Sequence, residues 1–160
     1  MPFSLRSFCR DLASPSLSEV LLWLRQHGHP KAITAGASAG DLLSCFWTEV
    51  QLSDDQDQPW FRMTSVRADQ AGAARLGEEV SDFVADVGEL PPTAARARVL
   101  EHLAATRALV IIELPLDGGS EDAHEAAISI QELFRERAGG MAQRDGSGFL
   151  DEDEIILAIA

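Results

Sequence analysis

Apolar residues recur along this chain with two different periods, and the switches between them mark its elements. In "SLSEVLLWLRQHGHP" (16–30) Val20, Leu21 and Leu24 share one face at helical spacing. Ser16 and Glu19 have the separation of a capping box, Gly28 stands where a glycine ends a helix, and Pro30 stops the run. "ARLGEEVSDFVADV" carries the cleanest amphipathic stripe, through Leu76, Val80, Phe83, Val84 and Val87. Beyond "ELPP", the stretch "TAARARVLEHLAATR" turns Val99, Leu100 and Leu103 inward. In "DGGSEDAHEAAISIQELFRERAGG" Ser120 is the expected cap, acids fill the first turn, arginines the last, and Gly139 ends the helix. The pattern therefore predicts four helices.

Strand signals lie between them. "FSLRSFC" (3–9) reads as an edge strand or a short helix. "CFWTEVQL" (45–52) and "WFRMTSVR" (60–67) are rich in β-formers and flank the turn-forming "SDDQDQP", which predicts a hairpin. Pairing Val50 with Phe61 and Thr48 with Met63 places Phe46 in the same core layer. The opposite face then carries Cys45, Trp47, Glu49, Gln51, Trp60, Arg62 and Thr64, with Glu49 opposite Arg62. "ALVIIELP" (108–115) has the continuous apolar run of a central strand, and "KAITAGASAGDLL" (31–43) reads as a connection. "MAQR" and "EIILAIA" close the chain as strands around "DGSGFLDED". The expectation is one α+β domain over 1–160: a mostly antiparallel sheet of five or six strands with about four helices. The strand at 108–115, the helix at 120–138 and the strand at 141–144 fit one crossover unit.

Charge narrows the function. The 160 residues include 26 acidic and 13 basic side chains, a formal charge of −13. Binding nucleic acid means neutralising phosphates with Lys and Arg, so a chain of this balance is not expected to do so. Anionic membrane surfaces are disfavoured for the same reason, and no apolar stretch approaches a membrane span. The start of the chain lacks the apolar run of a signal peptide, and Cys9 and Cys45 form no metal-binding pattern, so a reduced, cytoplasmic protein is expected. A basic protein partner fits this charge.

Candidate chemistry is sparse. "QRDGSGFLDEDE" (143–154) resembles an EF-hand loop at every position but the first. Counting from Gln143, the oxygen ligands would come from Asp145, Ser147, the Phe149 carbonyl, Asp151 and Glu154, with glycine at Gly148 and an aliphatic residue at Leu150. Gln143 supplies less charge than the aspartate normally found there, and Gly139 and Gly140 break any entering helix. A closing hairpin accounts for the same residues. The segments "LLWLRQHGHP", "VLEHLAATRALV" and "GGMAQRDGSGF" together resemble a family of small bacterial proteins of unassigned function. That resemblance implies a closing hairpin and carries no catalytic residue. Cys45 with His102 or His124 is a candidate thiolate pair without a local signature. Glu121 and His124 form half of a carboxylate metal pattern whose other half is absent. His27 and His29 flank a helix-ending glycine without an obvious third ligand nearby.

The strongest binding signal is the hairpin face bearing Trp47, Glu49, Gln51, Trp60 and Arg62, because aromatics and Arg on a polar face have the composition of an interface centre. The expected function is a non-enzymatic, acidic interaction protein without cofactors. It would bind a protein partner, basic by charge or a second copy of the chain, through that face or its acidic surface. An immunity- or inhibitor-type role is the specific form. The alternatives are a calcium-binding protein and, more weakly, a thiol-dependent enzyme using Cys45.

Overall fold

The apolar run at the centre of the molecule is strand β5 (Ala108–Leu114), buried along nearly its whole length. In the computed structural model, which describes residues 3–69, 71–115 and 119–159, it pairs antiparallel on both sides. Strand β1 (Phe3–Cys9) lies on one side and β4 (Pro59–Arg67) on the other. Alternate side chains of β5 enter two different cores, which is why both of its registers are apolar. Val110 and Ile112 face one core with Leu5 and Met63; Leu109 and Ile111 face the other with Phe8 and Val66.

Helices cover both faces. α1 (Leu17–Gln26) and α5 (Glu121–Ala138) contribute Leu24, Ile130 and Phe134 to the first core. α3 (Ala73–Gly88) and α4 (Ala94–Ala104) contribute Leu76, Val87, Val99 and Leu103 to the second. The expected caps are in place. Ser16 and Glu19 bond each other's backbone in a full capping box, Ser120 accepts from the Ala123 amide, and Gly139 ends α5 with φ of 62°.

The sheet is wider than the sequence pattern predicts. Among the described residues it has eight strands, in the order β2 (Ile33–Ala35), β3 (Glu49–Ser53), β4, β5, β1, β6 (Gly140–Arg144), β7 (Gly148–Asp151) and β8 (Glu154–Ala158), and five helices instead of four. The stretch expected to be a plain connection holds β2 (Ile33–Ala35) and the short α2 (Ala39–Leu43), capped by Ser38. β2 pairs with β3 (Glu49–Ser53) at the edge of the sheet. The expected final loop also contains a strand. β6 (Gly140–Arg144), β7 (Gly148–Asp151) and β8 (Glu154–Ala158) form a meander; Ala160, the last residue of the expected closing strand, lies outside the described residues. Gly148, paired with Arg144 and Ala158 in β7, has a backbone at φ of 120° so close to the Leu157 carbonyl on β8 that no Cβ would fit.

The expected crossover is present with one strand interposed. β5 and β6 each run antiparallel to β1, which lies between them, so they are parallel to each other and α5 joins them across β1.

Candidate functional site

In the β3–β4 hairpin Val50 pairs with Met63 and Leu52 with Phe61, a shift of two residues from the expected pairing. A shift of two leaves every side chain on its original face. Glu49, Gln51 and Arg62 therefore remain together on the polar face, with Gln51 now directly opposite Arg62. Arg62 lies 3.4 Å from Glu49 and donates to Glu113 on β5 at 2.8 Å. The hydrogen bond to Glu113, then the charges of Glu113 and Glu49, raise the pKa of this exposed guanidinium. Gln51 donates to the Phe61 carbonyl at 2.9 Å.

The two tryptophans do not join that face; both are buried in the first core. The reason differs for each. Leu52 pairs with Phe61 but Ser53 pairs with Pro59, so Trp60 is the extra residue of a β-bulge. The bulge sends Trp60 and Phe61 into the same core, and Trp60 is only 6% exposed. Trp47 precedes β3, where strand alternation does not apply. Its indole Nε1 donates to the Pro15 carbonyl at 2.9 Å and the residue is 5% exposed.

Phe46, expected in the core, is instead 56% exposed. The chain turns at Cys45 and Phe46, and the end of β4 holds that turn. Arg67 is buried, and its Nη2 donates to the carbonyls of Trp47 and Cys45. Its guanidinium lies 5.4 Å from the centre of the Phe46 ring. Burial lowers the Arg67 pKa, but a guanidinium keeps its charge. Just before the turn, α2 ends at Leu43, which is 74% exposed. A cavity of about 290 Å3 opens beside these residues, lined by Trp47, Phe46, Asp41 and Glu49 among others. Aromatic surface next to carboxylates suits a side chain with an apolar stem and a cationic tip.

Glu49 links the two parts of the site, since it lines this cavity and also contacts Arg62 on the polar sheet face. Pattern reading missed Asp41 and Leu43 and put Phe46 in the core. The signal for α2, which carries Asp41 and Leu43, is the second capping box: Ser38 and Asp41 are three apart, as Ser16 and Glu19 are, and their side chains bond each other's backbone amides.

The calcium-like stretch is a strand–turn–strand unit, with β6 entering and β8 leaving where an EF-hand has helices. Its carboxylates face separate partners. Asp145 accepts from the Ser4 amide at 2.9 Å and from Arg6 at 2.8 Å, whereas Asp151 accepts from Arg98 at 2.8 Å. Both cysteines are free. Neither candidate histidine contacts Cys45 among the described residues. His102 bonds the Phe8 carbonyl, and His124 lies 6.1 Å from the Phe3 ring. Among the described residues no helix is long and apolar enough to cross a membrane, and no three His, Cys, Asp or Glu side chains group as metal ligands would.

Compared with known proteins, the chain matches no family model, no curated protein and no solved structure, so no activity or partner is carried over to it.

Proposed function

We propose that the protein is a non-enzymatic interaction protein that binds a basic protein partner at the corner formed by Leu43, Phe46 and Glu49. The exposure of Leu43 and Phe46 beside the acidic cavity carries this reading. Two large apolar side chains held out by a capped helix and an arginine-braced turn offer a partner apolar contact area. Asp41 and Glu49 lie next to them and complement a positive residue. Trp47 supports the site from beneath, and the polar face of Gln51, Arg62 and Glu113 extends it.

Net charge favours a partner of opposite sign over a second copy. Two chains of −13 repel on approach, whereas a basic protein is drawn in. The acidic surface adds to this attraction: on α3, Glu78, Asp82 and Asp86 follow one another at helical spacing and are exposed, with no ion pair among the described residues. An immunity- or inhibitor-type protein that covers a basic surface is the form of this function we favour.

Parallel capture from native lysate tests it, with wild type, Leu43→Ser/Phe46→Ser and the control Leu22→Ser as baits. Leu22 is half exposed on α1, outside the corner. A basic protein retained by wild type and by the control, and lost by the corner variant, is the expected result. An identical set on all three baits contradicts the proposal.

A further inference from the structure

A cavity of this acidic chain gathers three arginines in its lining. It measures about 380 Å3, and its lining includes Arg10, Arg98 and Arg135. Three separate parts of the fold bring them together. Arg10 follows β1, Arg98 lies on α4, and Arg135 lies in the last turn of α5. Where the chain leaves α5, Gly139 and Gly140 leave that wall without side chains. The placement is selective, since the chain has only 13 basic residues.

The arginines are not committed to strong internal pairs. Arg10 is exposed, with no side-chain hydrogen bond or ion pair among the described residues. Arg135 meets Glu152 only at 3.8 Å, and its buried Nε has no acceptor. Arg98 is bound to Asp151 at 2.8 Å, but both side chains are substantially exposed, where an ion pair contributes little. Glu101 and Asp151 also line the cavity, so its three guanidiniums outnumber its two carboxylates.

His102 supplies the selective contact. It lies one residue from Glu101 and four from Arg98 on α4, lines the same cavity and is 7% exposed. Its Nε2 is 2.6 Å from the Phe8 carbonyl, which accepts only, so Nε2 carries the proton. Nδ1 has no partner among the described residues. Burial, with the charges of Arg10 and Arg98, lowers the imidazole pKa despite the Phe8 bond, which keeps the ring neutral and Nδ1 a bare acceptor.

We propose that this cavity binds a small phosphate-class anion, with hydrogen phosphate preferred. Guanidiniums bind tetrahedral oxyanions through paired charge-assisted hydrogen bonds. The hydroxyl of hydrogen phosphate can also donate to Nδ1 of His102, which sulfate and a fully ionised phosphate ester cannot do at neutral pH. This site is separate from the Leu43–Phe46 corner and does not depend on it.

The test is calorimetric titration of the whole protein near pH 7.5 at low, constant ionic strength. The probes are inorganic phosphate, sulfate and a simple alkyl phosphate. One saturable phosphate site is expected, with sulfate and the ester weaker by about tenfold. Arg10→Gln and Arg135→Gln should each weaken phosphate binding by roughly tenfold; Arg10 is exposed, so its variant should fold. His102→Gln, checked for fold by circular dichroism, should remove the preference over sulfate. Absence of saturable binding up to ~10 mM phosphate, or binding unchanged in both arginine variants, overturns the proposal. Equal affinity for phosphate and sulfate in wild type overturns the role given to His102.

Discussion

Arg67 at the end of β4 donates through Nη2 to the carbonyl oxygen of Trp47, twenty residues earlier in the chain. One buried guanidinium thus fixes the turn that hides Trp47 and exposes Phe46. Replacing Arg67 with Met keeps an apolar stem of similar length but leaves the Trp47 and Cys45 carbonyls without their donor. Urea denaturation should show a loss of roughly 1.5–3 kcal/mol, the range for hydrogen bonds to a charged group. No loss would mean that the turn holds itself.

Trp60 is a core residue, placed by the bulge opposite Leu52 and Ser53. Trp60→Ala should cost about 3–5 kcal/mol of stability in thermal or urea unfolding, as other large-to-small core changes do. A loss below ~1 kcal/mol would return the ring to the surface.

Asp145 acts within the fold, joining the β6–β7 turn to the start of β1 through Ser4 and Arg6. Asp145→Asn should lower stability by about 1 kcal/mol, since the pair is partly exposed and screened. Millimolar calcium should leave the melting temperature of wild type unchanged. A bound ion at one hundred times its Kd would add roughly 2.7 kcal/mol, a shift that could not be missed.

How much of this was legible in the sequence depended on how local each signal is. The capping box of Ser16 and Glu19, the cap at Ser120 and the left-handed Gly139 were readable because each depends on a few neighbouring residues. The central run 108–115 was readable because burial on both faces makes it apolar in both registers. β2 was hidden, as three residues at an edge are too few for alternation to show. The hairpin register slipped by two because such a slip preserves the faces and pattern alone cannot detect it. The tryptophans were misplaced by a bulge and a turn, both of which suspend alternation. For Trp47 the deciding interaction comes from Arg67, far along the chain. β7 was read as loop because Gly148 signals a turn in sequence, whereas here it permits close approach of two strands. That Glu49, Gln51 and Arg62 share one face was legible from the alternation, and the exposure of Leu43 and Phe46 was not.

Cys9 gives the fold a defined weakness in alkali. Complete burial, with a smaller effect from Asp11, pushes its pKa from the ordinary 9.0 up to about 12. Below pH 9.0 the thiol is neutral in both states, and its contribution to stability is fully present. As pH rises from there towards about 12, the unfolded chain loses the proton first, so stability falls. Urea midpoints at about pH 8 and about pH 10.5 should therefore drop further for wild type than for Cys9→Ala. Equal drops would remove Cys9 as the cause.

The central claim is that Phe46 is a contact residue, and its affinity change tests this most directly. With the captured basic partner in hand, Phe46→Ala should weaken binding by about 2 kcal/mol or more, roughly thirtyfold in Kd. The unfolding free energy of the free protein should stay within about 0.5 kcal/mol, because the ring is more than half exposed. An unchanged Kd, or a loss of fold stability that accounts for the weakened binding, would contradict the corner as the binding site.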